Sequence, residues 1–242
     1  MIQIINLRML NYKLVITLFL LILLNSCSLK KQDKSYINFI ENFNSKETLY
    51  NFWEDASQNE SPMNYDFDKE FLRIISRANT KDRVKVKTKN YFVGSGSYSW
   101  RVYVPKMHIG DQCSIGAFLY FDDKHELDFE IGSGNKKIRK KLNAKNNDLV
   151  VYCTSQAFPF SSTPFLIKNE AWYNLKIEIT QGKNNNFLAK WFINDKLYKT
   201  EQLGYKSKFY AFCSIENLEF IGDNLPKYDN YTLFDWFKFK KY

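Results

Sequence analysis

The run Glu126-Leu127-Asp128-Phe129-Glu130 places three carboxyl groups at alternate positions of a 242-residue chain. Alternate side chains of a strand share a face, so Glu126, Asp128 and Glu130 stand in a row while Leu127, Phe129 and Ile131 point into a core. Acidic residues form strands poorly, and like charges two apart on one face repel. A run selected for stability alone rarely has this form. Carboxyls crowded this closely cannot all ionise cheaply, so at least one holds a proton near neutral pH while another is free to act as base or nucleophile. On a flat strand the Cα atoms of Glu126 and Glu130 would lie about 13 Å apart at ~3.4 Å per residue. Acting together therefore requires a curved strand and side chains that lean over Asp128.

The surrounding chain supplies strands to hold this row. Cys113 to Phe121 is nearly continuous apolar sequence, as a buried central strand requires, and Asp122-Asp123-Lys124-His125 turns the chain so that the acid strand returns antiparallel beside it. Gly132-Ser133-Gly134 ends that strand. Phe71 to Ser76, the polar turn Asn79 to Asp82 and the strict alternation Val84-Lys85-Val86-Lys87-Thr88 read as a hairpin with one wet face. Lys137 to Asn147 reads as a basic loop, and Phe39 to Trp53 as an irregular opening segment with a strand or short helix. In Leu149 to Thr154 and its continuation, Tyr152, Thr154 and Gln156 alternate onto one face with hydrogen-bonding groups. Trp172 to Ile179 and Phe187 to Ile193 pair around a polar turn, and Asn194-Asp195 makes a tight hairpin after Trp191-Phe192-Ile193. About a dozen strands, no long helix and 17% aromatic residues describe one all-β domain over residues 39–242. The α/β alternation of a solute-binding protein is missing.

Glu126-x-Asp128-x-Glu130 resembles the catalytic motif of glycoside hydrolase family 16, and four further stretches resemble that family in order. They are Arg101-x-x-x-Pro105, the apolar strand and turn before the acid strand, the Asn194-Asp195 hairpin and the closing strand Leu233 to Phe239. The resemblance covers about residues 43–242. It implies a two-sheet antiparallel jelly-roll β-sandwich, concanavalin-A-like, with a concave sugar-binding face. It implies Glu126 as nucleophile, Glu130 as general acid and then base, and Asp128 as the group that orients Glu126. Retaining cleavage of a glycosidic bond needs two such carboxyls about 5–5.5 Å apart. Arg101 would donate hydrogen bonds to sugar, with Ser99 standing where the family often has a glutamate. Tyr120 and Phe121, with Phe118, would offer rings for stacking. Tyr152, Thr154 and Gln156 would line the groove, and Ser214, Glu216 and Asn217 its rim. The activity implied is a retaining endo-glycosidase acting on a β-linked glucan or galactan, or a transglycosylase. The other reading is a non-catalytic glycan-binding or envelope-structural protein on the same fold. No cofactor is required, and a structural calcium, found in some relatives, is not legible in the sequence.

Residues 1–26 read as an export signal. Arg8 and Lys13 form a basic start, Leu14 to Leu24 an apolar core too short to span a bilayer, and Leu24-Asn25-Ser26-Cys27 resembles a lipobox. A diacylated Cys27 would hold the protein on a membrane, with residues 27–38 as tether. A plain secretory signal is the alternative, and either way the protein leaves the cytoplasm for the cell envelope. Loss of Arg8 and Lys13 takes the formal charge from +9 to +7. That balance suits solubility near anionic lipid, or a groove for acidic polysaccharide. No nucleic-acid motif accompanies it. Cys113, Cys153 and Cys213 read as buried thiols with one disulfide possible, and His108 and His125 are too few for a zinc site. A monomer is expected.

Overall fold

The computed structural model describes residues 38–242. The export signal, Cys27 and all but the last residue of the tether lie outside the described residues. The chain runs through β1 (Asn38–Glu41), α1 (Lys46–Phe52), β2 (Trp53–Asp55), β3 (Tyr65–Asp68), β4 (Phe71–Ser76), β5 (Arg83–Thr88), β6 (Gly96–Val104), β7 (Cys113–Asp122), β8 (His125–Gly132), α2 (Lys136–Leu142), β9 (Asp148–Ser155) and β10 (Ser161–Lys168). It closes with β11 (Ala171–Gln181), β12 (Phe187–Ile193), β13 (Lys196–Gln202), β14 (Tyr210–Asn217) and β15 (Asn230–Lys241).

Two antiparallel sheets face each other. The back sheet has the order β13-β12-β11-β6-β15-β4-β3, with β1 also on β15; the cleft sheet has the order β10-β9-β8-β7-β14-β5-β2. Strict alternation drives one face of each strand inward. In β6, Tyr98, Trp100, Val102 and Val104 are buried, and in β8 Leu127, Phe129 and Ile131 are fully buried. These side chains meet in one core with Trp53, Trp191 and Phe237. The expected all-β jelly-roll sandwich is the observed fold. In the hairpin after β12, Asn194 and Asp195 have φ of 48° and 62°, the left-handed pair that a two-residue turn requires.

Two local expectations are corrected. The segments 71–76 and 83–88 do not form a hairpin: β4 pairs with β15 and β3, whereas β5 pairs with β14 and β2 in the other sheet. Residues 77–82 cross between the sheets, clasped by Asp82, whose carboxylate accepts from the Arg77 guanidinium at 2.9 Å. Alternation reports that a strand is half buried; it carries no information about its partner. The basic run after Gly134 is helix α2 rather than loop. Its lysines, arginine and leucine are good helix formers, and the Asn135 side chain caps the start by accepting from Ile138 N–H at 2.9 Å. Asn143 ends it in the left-handed region. Arg139 of this helix is buried and donates to the carbonyls of Ser133, Asp148 and Lys145 at 2.6–2.9 Å, tying the end of β8 to the start of β9.

Candidate active site

Side chains in register on antiparallel neighbours share a face, so the pairing reads out the cleft floor in rows. Glu126 stands beside Tyr120 and Tyr210. Asp128 stands between Thr154 on one side and Phe118, Phe212 and Lys87 on the other. Glu130 stands between Tyr152 and Gly116, with Ser214 and Lys85 beyond. Arg83, Glu216, Ser114 and Gly132 complete the floor. Above it lies a cavity of about 640 Å³ that Glu126, Glu130, Glu216, Arg83, Lys85, Lys87, Phe118, Tyr120 and Phe212 help to line. Glu54 and Asp55 of β2 close its far edge.

The acid strand is tied down from both sides. Trp191 of the back sheet donates from Nε1 to the Asp128 carbonyl at 3.0 Å, through the core. From the cleft side Gln156 Nε2 donates to Asp128 Oδ2 at 3.0 Å. Asp128 is 2% exposed, and no donor of the protein reaches its buried Oδ1. Burial first, and then the charges of Glu126 and Glu130, push the Asp128 carboxyl well above its ordinary range. Burial also lifts Glu126 to about 7, opposed by hydrogen bonding with Asp128, and lifts Glu130 to about 8, aided by the charges of Glu216 and Glu126. Near neutral pH the row therefore holds protonated and ionised carboxyls side by side, the condition for coupled acid and nucleophile chemistry.

Among the residues singled out in the sequence, the structure brings Glu126, Asp128, Glu130, Tyr120, Tyr152, Thr154, Gln156, Ser214 and Glu216 onto this one face. Thr154 is bonded to Ser162 across β9 and β10 at 2.8 Å. Ser214 and Glu216 are not rim residues; they are 1% and 4% exposed and sit in the floor. Arg101 and Ser99 are elsewhere. Both lie on β6 of the back sheet, where Arg101 pairs with Asp235 at 3.0 Å over the Trp172 ring and Ser99 meets Ser97. The sequence position was that of a strand; the sheet it joined was set by β11 and β15. Phe121 falls in the bulge between Tyr120 and Asp122, with Lys208 over its ring, and takes no part in the lining. The cations of the cleft are instead Arg83, Lys85 and Lys87, the supposed wet face of a hairpin. Their period-two spacing was a visible signal, and Phe212, stacked on Phe118 at 4.5 Å between ring centres, was a second.

Cys113, Cys153 and Cys213 are free and buried, and among the described residues no three His, Cys, Asp or Glu side chains cluster as metal ligands. No protein-family model and no curated protein matches the chain. Solved structures do. The chain is similar to a β-glucanase from Bacillus licheniformis at a TM-score of 0.62 and 12% identity, over 86% of this chain and all of that one. It is similar to the Crh5 transglycosylase at 0.63 and 13%, over 86% and 85% of the two chains. It is also similar to the catalytic domain of an endo-1,3-β-glucanase (laminarinase) from Thermotoga petrophila at 0.60 and 10%, over 86% and 98%. At these identities the likeness is one of fold: the chain has the two-sheet jelly roll of these glucanases and of the transglycosylase.

Proposed function

We propose that the chain is a retaining endo-glycosidase, of the glycoside hydrolase family 16 type, that cuts a β-linked glucan or galactan. The observation that carries this reading is the row of three carboxyls on the cleft face of β8, two of them part-exposed and one buried. Ionised Glu126 attacks the anomeric carbon as Glu130 gives its proton to the departing glycosidic oxygen, leaving a glycosyl ester on Glu126. Glu130, now a carboxylate, takes a proton from water, and the oxygen of that water displaces Glu126. A sugar hydroxyl in place of water gives transglycosylation by the same steps. Asp128, next on the same face and held by Gln156, orients Glu126. Tyr120, Phe118 and Phe212 provide ring surface for sugars on one side of the acids, and Tyr152 and Thr154 hydrogen-bonding groups on the other.

We further propose that residues 1–26 export the chain and that a lipidated Cys27 anchors it in the cell envelope, a reading that rests on the sequence. Labelling with a radioactive fatty acid should mark the wild-type chain and not Cys27→Ala. For the activity, the whole protein is incubated with β-1,3-, β-1,4- and mixed-linkage glucans, agarose and carrageenan, and new reducing ends are counted. New ends from one substrate, lost in Glu126→Gln and Glu130→Gln while the circular dichroism spectrum is retained, would support the reading. Binding of a glycan without cleavage, equal in all three proteins, would replace it with a glycan-binding role.

A further inference from the structure

The cleft contains a fourth carboxylate that the proposed reaction leaves without a task. Glu216 lies on β14, and its Oε2 accepts from Arg83 Nε at 2.5 Å and from Lys85 Nζ at 2.7 Å. Lys85 is 4% exposed, as is Glu216, and its ammonium also reaches Gln58 Oε1 at 3.2 Å. Both bonds run from cationic donors to one carboxylate oxygen, the strong, charge-assisted kind. Buried ion clusters of this kind are seldom the most stable way to fill a site, since apolar side chains of similar size do as well or better. Their place in the fold offers the reason for this one. Lys85 stands in the same cross-strand row as Glu130, separated by Ser214 and by Gly116, which has no side chain; Glu216 stands in the next row. The hydroxyls of Ser114 and Ser214 in that gap have no hydrogen-bond partner. No charged side chain separates the cluster from the acid strand.

We propose that Glu216, clamped by Arg83 and Lys85, is a positioning residue whose fixed negative charge holds the proton on Glu130. The inference rests on the catalytic reading above for the role of that proton, but not for its location. Glu130 faces Glu126 and Asp128 on its own strand, Tyr152 from β9, Glu216 from β14, and Arg83, Lys85 and Lys87 from β5. Glu54 and Asp55 of β2 and Asp123 of the β7–β8 turn line the same cavity. After burial, the charge of Glu216 is the largest influence raising Glu130, ahead of Glu126, while Arg83 and Lys85 act against it.

The two halves of the clamp should therefore move Glu130 in opposite directions. Glu216→Gln removes the anion and frees two cations, so Glu130 should lose its proton about one pH unit lower or more. Lys85→Met removes a cation and leaves the anion, so Glu130 should lose its proton at higher pH. Carboxyl-carbon NMR titration of the whole protein with labelled glutamate reads this directly, the Glu130 signal being identified by its loss in Glu130→Gln. Glu216→Asp should restore much of the wild-type midpoint. A midpoint that is unmoved, or that moves the same way in both variants, would overturn the proposal, because a merely structural cluster alters stability without opposite titration shifts. Should Lys85→Met fail to fold, Arg83→Gln, at a side chain 36% exposed, removes a cation at the rim and should also raise the midpoint. The titration needs no turnover, so absence of hydrolysis would remove the catalytic reading and leave this test standing. Where turnover is measured, the basic limb of its pH profile should shift with the midpoint.

Discussion

The two sheets treat charge in opposite ways. On the solvent face of the back sheet, charged residues stand opposite their complements: Asp66 and Arg73 are register partners joined at 2.8 Å, and Glu178 and Lys190 are register partners at 3.5 Å. Arg101 meets Asp235 at 3.0 Å across β6 and β15. On the cleft face of the other sheet, three acids follow one another on β8, and the residues beside them in register are Tyr120, Phe118, Gly116, Tyr152 and Thr154, none of them cationic. The cations lining the cavity are on β5, where Glu216 takes up two and Glu54 takes Lys87 at 3.1 Å. Cross-strand pairing is the cheap arrangement for a wet sheet. The acid strand lacks it, and the consequence is a set of carboxyls that hold protons where free ones would not.

The sharpest test of this contrast is the separation of activity from stability. Glu130→Gln should lower cleavage ~10²–10⁴-fold, the range for a general acid. The same change should leave the urea midpoint at pH 9 equal to or above that of the wild type, since it removes a buried like charge. A loss of stability at that pH would mean that the acids serve the fold.

The pH dependence gives a second test, with a defined sign. Glu130 is raised from 4.5 to about 8 in the folded protein, chiefly by burial. It therefore adds stability below about pH 4.5, and that stability is lost as pH rises through 8. The difference in unfolding free energy between wild type and Glu130→Gln should fall across this window, by up to about 5 kcal/mol at ~1.4 kcal/mol per pH unit. Asp148 behaves oppositely: the bond from Lys168 holds its carboxyl below the ordinary range, so its contribution is present above about pH 4 and is lost in acid. Denaturation curves at half-unit steps from pH 4 to 9 would show whether the slope belongs to the cleft.

A third test addresses the tie between the sheets. Trp191→Phe keeps the apolar ring and removes the donor to the Asp128 carbonyl, leaving that acceptor unpaired in the core. It should cost about 1–3 kcal/mol in urea unfolding. The smallest effect is expected on the back sheet, where Asp235→Asn breaks a partly exposed ion pair worth about 0–1 kcal/mol and should leave cleavage unchanged. A marked loss of cleavage there would return Arg101 to the cleft, against its position in the structure.

What could be read along the chain was local. The faces of β8 followed from alternation, and the Asn194-Asp195 turn from the backbone that those two residues tolerate. The helix after Gly134 had legible caps in Asn135 and Asn143, yet its lysines obscured it as a solvated loop. Phe71 to Thr88 shows where the reading stopped. Two alternating segments joined by a short polar turn satisfy the hairpin pattern, but their inward faces are buried in different sheets of the same core.

The sequence by itself determined which residues of each strand face inward, because side chains alternate on any strand whatever its partners. It also determined that three acids share one surface. Only the tertiary structure decided that Arg101 belongs to the back sheet, that Arg83 and Lys85 belong to the cleft, and that Glu216 lies in its floor rather than on its rim. Strand partners are chosen by packing between segments far apart in the chain, and the proton that Glu130 keeps depends on burial and on charges those partners bring, which no run of neighbouring residues encodes.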